Sequence, residues 1–233
     1  MVDQVMFHEL ILPCLRYITF QGNPLGKIEK HFFYSLRESN LRELNFQNCE
    51  LEHIDSRKMI SSLSVTLLDT ISDAFQYLSR IQHIDFYNNP KLLVLSGAHS
   101  PLSAALFYLP SKHFTSLGLA NNELFTIPMI LNYVVANTVE RINLSGNFLV
   151  NLGTFNINMF PGMGKHLRYL ILKRSNIRSI EEKAFQSLKK LEYLNLSENQ
   201  LRSVPEALKL SHIKHLDLSY QCTMVQKGGS RGH

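Results

Sequence analysis

Apolar and polar residues alternate along the chain in a unit that returns many times. In each unit, two apolar residues are separated by a single polar residue. Another apolar residue lies three positions before this pair, and a polar residue lies three positions after it. Leu191, Leu194, Leu196 and Asn199 form the clearest copy. A period of two puts the paired apolar side chains on one face of a short strand. The copies begin at residues 15, 41, 60, 81, 114, 139, 167, 191 and 213.

Repeated units of this kind predict stacking. Each unit cannot bury its apolar face alone, but neighbouring units can cover one another. The pattern therefore predicts an α/β solenoid with a curved, parallel inner sheet of about eight or nine short strands and an irregular or short-helical outer side. The weakest unit is Ile60, Leu63, Val65 and Leu68.

The polar residue that closes each unit has a structural explanation. An asparagine amide can satisfy backbone groups that a tight turn would otherwise leave unpaired. Cys49 and Ser175 stand in the same position in two units. We interpret Cys49 as a buried structural residue, because a free cysteine behaves as a small apolar side chain with a weak donor.

The pattern Leu-x-x-Leu-x-Leu-x-x-Asn-x-Leu resembles the leucine-rich-repeat family over residues 15–222. The segment 180–208 is similar to repeats of extracellular receptors, including Toll-type receptors and neuronal adhesion proteins, which carry Ala-Phe-x-x-Leu where this chain has Ala184, Phe185 and Leu188. The resemblance implies a protein-binding module of a cell-surface or secreted receptor. Residues 1–14 are then an N-terminal flank, and 223–233 a disordered tail.

The compartment has two interpretations at this stage. The family's cysteine-rich caps have no counterpart here, because Cys14 and Cys222 stand alone where a cap would supply several cysteines. The chain is then either a fragment of a longer extracellular receptor or a cytoplasmic scaffold or regulatory subunit. Asn143 and Asn195 begin formal N-glycosylation sequons, which favours the extracellular alternative slightly.

Two segments interrupt the repeat. Residues 92–113 contain an amphipathic stretch after Ser100 and Pro101 that predicts a short helix on the convex or lateral side. Residues 151–166 are punctuated by glycine and proline and predict a looser loop. The bottom of the core is predicted to contain Ile54, Ile127, Leu152, Ile180 and Val204, and the outer side Phe33, Phe75 and Phe185.

Composition excludes several functions. The net charge is +5 and only 18% of residues are charged, with no basic stripe, so the sequence predicts no nucleic-acid binding. No apolar run reaches 18 residues, which predicts no membrane span within the chain. No zinc-protease, serine-hydrolase or phosphate-loop motif is complete, and Gly162–His166 only partly resembles the last. We expect no catalytic site, no metal and no cofactor.

The polar positions of the predicted strands form two columns on the inner face of the sheet. The first column consists of Tyr17, Glu43, Ser62, His83, Ser116, Arg141, Tyr169, Tyr193 and His215. The second column consists of Thr19, Asn45, Ser64, Asp85, Gly118, Asn143, Ile171, Asn195 and Asp217. This concave surface is broad, which suits a protein or another macromolecule better than a small substrate.

Two clusters on this surface are the candidate ligand-binding residues. One is His83, Asp85 and Tyr87. The other lies in the C-terminal half and consists of Arg168, Tyr169, Lys173, Arg174, Tyr193, His215, Asp217 and Tyr220. Tyrosine and arginine are enriched at binding hot spots. The hypothesis is that the aromatic residues supply affinity and the cations steer an acidic partner.

Overall fold

Parallel strands dominate the described part of the chain. The computed structural model describes residues 12–26, 33–51, 80–89, 114–124, 137–149, 160, 163–209 and 212–221, and the backbone of 154–155. Eight strands form one sheet in the order β1-β2-β3-β4-β5-β7-β9-β10. They are β1 Tyr17–Thr19, β2 Glu43–Asn45, β3 His83–Asp85, β4 Ser116–Gly118, β5 Arg141–Asn143, β7 Tyr169–Ile171, β9 Tyr193–Asn195 and β10 His215–Asp217.

The register of the sheet follows the repeat. The central residue of each strand is the apolar residue that the pattern predicts, and it pairs with its counterpart in the next strand, as Leu170 does with Leu194. Eight of the nine predicted units are therefore confirmed as parallel strands. The weak unit that begins at residue 60 lies outside the described residues, so β2 and β3 are neighbours in the described sheet.

The apolar positions of the units form one continuous core. Leu191, Leu194 and Leu196 are all fully buried. In the first units the last apolar position is aromatic: the Phe20, Phe46 and Phe86 rings stack with 5.4 Å between successive centroids and 7° between their planes. The core is closed from the outer side by Phe33 and Phe185, as predicted.

Buried asparagines connect successive units. The Asn199 Oδ1 atom accepts hydrogen bonds from the backbone N–H groups of Ser175 and Ile177 in the unit before it, both at 3.0 Å. Its Nδ2 atom donates to the carbonyl groups of Leu172 and Leu196, both at 2.8 Å. Equivalent bonds connect the turns at three further positions, which are Asn89, Asn122 and Asn147.

Besides Ser175, a cysteine and a glutamine also occupy the asparagine position. The Cys49 thiol is buried, lies 3.1 Å from the carbonyl oxygen of Phe20, and has its pKa raised to about 11 by burial. It is therefore a neutral thiol at pH 7, in line with the structural interpretation. In the last unit Gln221 takes the position: it accepts from the backbone N–H of Leu201 and donates to the carbonyl of Leu196.

The outer side is irregular, with short 3₁₀ helices at Tyr34–Leu36, Met163–Lys165 and Glu206–Leu208. The predicted loose loop at 151–166 is wrong in part. Thr154–Phe155 (β6) pairs in parallel with Ser179–Ile180 (β8), and both Phe160 and Met163 are buried. The reason is that Phe160 and Met163 belong to the apolar core.

One predicted core position is also wrong. Val204 is 63% exposed, because the 3₁₀ helix Glu206–Leu208 that follows turns Ala207 and Leu208 inward instead. Ile180 is half-buried and packs against the core. The predictions for the helix within 92–113 and for the 223–233 tail lie outside the described residues, as do those for Ile54, Phe75, Ile127 and Leu152.

Candidate functional site

Four side chains in the first exposed column form a continuous row on the concave surface. The guanidinium carbon of Arg141 lies 4.4 Å from the centre of the Tyr169 ring. The Tyr169 and Tyr193 ring centroids are 6.0 Å apart, and the Tyr193 and His215 centroids are also 6.0 Å apart. We call Arg141, Tyr169, Tyr193 and His215 the aromatic row. The parallel register of β5, β7, β9 and β10 produces it, since each member opens its strand.

The aromatic row combines ordered rings with exposed polar groups. Tyr169 and Tyr193 are half-buried between their neighbours, whereas Arg141 and His215 at the two ends are exposed. Side chains held by stacking lose little conformational freedom when a partner binds. Arg141 belongs to the first column but is not among the candidate ligand-binding residues that the sequence predicts. The signal was its position one strand before Tyr169.

Arg168 lies beside this row in a chain of ion pairs along the N-terminal ends of the strands. Its Nη2 atom lies 3.0 Å from both carboxylate oxygens of Glu192, and its Nη1 atom lies 3.9 Å from Glu140. Lys214 reaches the same Glu192 carboxylate at 3.2 Å. We call Glu140, Arg168, Glu192 and Lys214 the ion ladder. The hydrogen bonds from Arg168 and then from Lys214 lower the pKa of Glu192.

The other predicted cations of the C-terminal half lie in the turns that follow the strands. The Lys173 Nζ atom is 2.9 Å from the Glu198 carboxylate. Arg174 and Tyr220 occupy equivalent turn positions with positive φ values of 55° and 54°, and Tyr220 is 80% exposed. These three residues therefore stand apart from the aromatic row. Arg168 and Lys173 are already compensated by carboxylates of their own chain, which weakens the case that they steer an acidic partner.

Six of the eight described positions in the second column carry turn-forming side chains, and Gly118 and Ile171 are the exceptions. The Asp217 carboxylate accepts hydrogen bonds from the hydroxyl and the backbone N–H of Ser219, at 2.7 and 3.0 Å, and these bonds lower the pKa of Asp217. Asn143 and Asn195 close the same kind of turn in their own units. The Asn195 Nδ2 atom also donates to Asp217 at 3.1 Å. This column orders the turns and borders the aromatic row.

The predicted cluster of His83, Asp85 and Tyr87 forms a separate group. Asp85 accepts hydrogen bonds from the side chain of Gln47 and from the backbone N–H of Tyr87, at 2.8 and 2.9 Å. Strand β4 lies between this group and Arg141. That strand presents Gly118, where a Cβ would meet the Asp85 carboxylate at 2.4 Å. The structure therefore does not bring the two predicted clusters together.

Metal-binding clusters and membrane-spanning helices are both absent from the described residues. Across those residues, no group of three or more His, Cys, Asp or Glu side chains could hold a metal ion. Within the same ranges, no helix has the length and apolar character needed to cross a membrane.

Known proteins share this repeat geometry. Residues 165–222 match the family model described as "Leucine rich repeat". The chain is a leucine-rich-repeat solenoid. A solved structure, the TLR13–ssRNA13 complex, superposes with a TM-score of 0.59 at 23% identity and covers 88% of this chain and 28% of the other. That likeness establishes the fold.

The leucine-rich repeats also match curated relatives. Toll-like receptor 3 of Boselaphus tragocamelus is 28% identical over 205 residues, which are 85% of this chain and 21% of the receptor. Osteomodulin of Rattus norvegicus is 26% identical, and the match covers 76% of this chain and 46% of osteomodulin. CD180 antigen of Mus musculus is 24% identical, and the match covers 89% of this chain and 31% of CD180. The predicted likeness to Toll-type receptors is confirmed. The chain spans less than half the length of each of these relatives.

A solved structure of the same fold contradicts, in part, the prediction that the chain has no nucleic-acid partner. The sequence predicted no nucleic-acid partner because it lacks a basic stripe. A solved protein of the same leucine-rich-repeat fold is nevertheless in complex with single-stranded RNA. The fold therefore does not exclude that class of ligand, and composition alone was too weak a basis for excluding it.

Proposed function

We propose that this leucine-rich-repeat chain is a non-catalytic recognition module of a cell-surface or secreted receptor, and that it binds a protein partner through the aromatic row. The observation that carries the proposal is the uninterrupted contact from Arg141 through Tyr169 and Tyr193 to His215. Arginine and tyrosine dominate binding hot spots because they offer a large contact area with a polar end.

The relatives support the receptor half of this proposal. Toll-like receptor 3 is a receptor by name, and it matches most of this chain. The alternative of a cytoplasmic scaffold, which the sequence left open, finds no support among the relatives. A broad sheet surface with a short aromatic row suits a macromolecular partner, whereas small ligands favour deep concave pockets.

The test begins with site-directed photocrosslinking. A photoreactive amino acid replaces Tyr193 on the concave surface or, as a control, Gln186 on the exposed outer side. The chain is presented to secreted and cell-surface proteins from the same organism. We expect a defined protein adduct from position 193 that is absent from position 186.

The identified partner then permits a quantitative test. Tyr193→Ala and Tyr169→Ala should each weaken its binding by more than about 1 kcal/mol, or about fivefold, as expected for hot-spot residues. The control is Lys189→Glu with Lys190→Glu, two exposed residues before β9. If only the lysine variant disrupts the complex, the partner binds elsewhere and the proposal fails.

A further inference from the structure

The positions that directly precede the strands differ between the two halves of the sheet. In the C-terminal half they form the ion ladder, where each cation contacts a carboxylate of a neighbouring unit. In the first two units the same position is occupied by Arg16 and Arg42, and both side chains are exposed. The backbone N–H of Arg42 donates to the carbonyl of Arg16 at 2.8 Å, so the two arginines are neighbours at the N-terminal ends of β1 and β2.

A third arginine extends this pair. Arg80 precedes the next described unit, is exposed, and hydrogen-bonds the side chain of Asn40, which in turn donates to the carbonyl of Pro13. Within the described residues, none of Arg16, Arg42 and Arg80 forms an ion pair. Arg37 nearby is different, because it contacts both the Glu38 carboxylate and the Tyr34 ring.

Such an arrangement is unfavourable without a ligand. Neighbouring strands are about 4.8 Å apart, and like charges directly opposite each other destabilise a sheet. The same position carries alternating charges in the C-terminal half, so the fold accommodates carboxylates there. Arg16 and Arg42, which form no ion pair among the described residues, are thus a candidate site for binding an external anion.

We propose that Arg16, Arg42 and Arg80, together the arginine patch, bind an acidic segment of a protein partner. Arginine holds carboxylates in a bidentate geometry, and two adjacent guanidinium groups can hold one acidic side chain between them. Tyr17, which is 49% exposed, follows Arg16 and offers an apolar contact beside the charges.

The neighbouring charges favour a protein over a polyanion. Glu43 is exposed and directly follows Arg42 in the chain, so negative charge interrupts the arginine patch. A nucleic acid or a sulfated polysaccharide carries a charge in nearly every unit and would meet this carboxylate. An acidic peptide can place carboxylates against the arginines and a neutral or basic residue against Glu43.

The arginine patch is separate from the aromatic row. It lies at the N-terminal ends of β1 and β2 and before β3, whereas the aromatic row begins at β5. If the binding proposed for one surface is refuted, the proposal for the other surface is therefore unaffected. Together they would give a partner a charged contact at one end of the sheet and an aromatic contact at the other.

The experiment uses the full 233-residue chain and a fluorescent peptide of alternating glutamate and serine, followed by anisotropy at several salt concentrations. Arg16→Gln with Arg42→Gln should weaken binding at least about tenfold and flatten its salt dependence. The matched control, Lys189→Gln with Lys190→Gln, removes the same charge from another exposed site and should change binding by less than about twofold.

Three outcomes would overturn the proposal. An equal loss in both double variants would mean that net charge alone attracts the peptide. Tighter binding of an oligo(dT) strand than of the peptide, lost with the same arginines, would make the surface a nucleic-acid site. A lower Tm of the arginine variant would show that the arginines stabilise the fold, whereas removal of two like charges that form no ion pair among the described residues should leave Tm unchanged or raise it.

Discussion

Gly164 packs so closely against Ser187 in the next unit that a Cβ at Gly164 would lie 1.8 Å from the Ser187 carbonyl oxygen. Because that atom belongs to the backbone, the clash cannot be relieved by turning a side chain. We expect Gly164→Ala to cost about 1–3 kcal/mol, the range for overpacking a close-packed site. Chemical denaturation measures it, with the exposed neighbour Lys165→Ala as the control. A parent-like midpoint for Gly164→Ala would contradict this packing.

The asparagine position offers a second test of stability. Asn199→Leu removes the hydrogen bonds to Ser175, Ile177, Leu172 and Leu196 and leaves buried backbone groups unpaired, each worth about 1–3 kcal/mol. We therefore expect a large loss in the free energy of unfolding.

The control for this variant is the same position in the first unit. Asn23 is exposed and its side chain donates to the carbonyl of Phe20, so Asn23→Ala should cost less than about 1 kcal/mol. Similar losses at both positions would mean that burial does not determine the contribution of this asparagine.

The ion ladder predicts a specific response to acid. The pKa of Glu192 is lowered in the folded chain from its ordinary value of 4.5, by Arg168 first and Lys214 second. The contribution of Glu192 to the free energy of unfolding is therefore fully present above that value. It is lost as the pH falls from that value through the lower pKa of the folded chain. Glu192→Gln should lower Tm at neutral pH and reduce the further drop in Tm on acidification. Scanning calorimetry from neutral pH to below pH 4 tests this, and parallel pH profiles for parent and variant would refute it.

Glycosylation at Asn143 and binding at the aromatic row should be mutually exclusive. Asn143 and Arg141 lie two residues apart on β5, so their side chains point to the same concave surface. A glycan on Asn143 would cover the end of the row. If mass spectrometry of secreted chain shows occupancy at Asn143, Asn143→Gln should bind the protein partner more tightly than the glycosylated parent. Equal affinities would separate the two sites.

The last strand of the described sheet predicts self-association. Leu216 is 41% exposed, whereas its neighbour Leu194 in the adjacent strand is fully buried. An exposed apolar edge can pair with another chain. Sedimentation velocity should show concentration-dependent association of the parent, and Leu216→Lys should reduce it. An association that Leu216→Lys leaves unchanged would place the contact elsewhere.

The repeat pattern predicts the fold from sequence at the positions where every unit requires the same kind of residue. Leu170 and Leu194 could be assigned to the core because every unit demands an apolar residue there. Val204 was wrongly assigned to the core. The general preference of apolar residues for burial does not predict the 3₁₀ helix that turns Leu208 inward instead. Gln221 was not recognised in the asparagine position, although its amide makes the same bonds.

The candidate site was predictable in composition and not in arrangement. Reading every second residue of the strands found Tyr169, Tyr193 and His215, which share one column. Lys173 and Tyr220 were included in the same predicted cluster although they lie in turns, because proximity in sequence does not distinguish a strand from the turn that follows it. The pairing of Arg168 with Glu192 depends on contacts between units, which the sequence of one unit does not contain.

The stack of Phe20, Phe46 and Phe86 gives the protein an internal optical probe. These rings lie in the first units, whereas the tyrosines are distributed along the chain from Tyr17 to Tyr220. The chain contains no tryptophan, so tyrosine emission is not masked. Phenylalanine bands in near-UV circular dichroism depend on fixed packing and should report mainly the stacked rings of the first units. Tyrosine fluorescence comes from residues throughout the chain and reports the solenoid as a whole. Loss of the two signals at different denaturant concentrations would reveal, without any label, that the solenoid melts in sections.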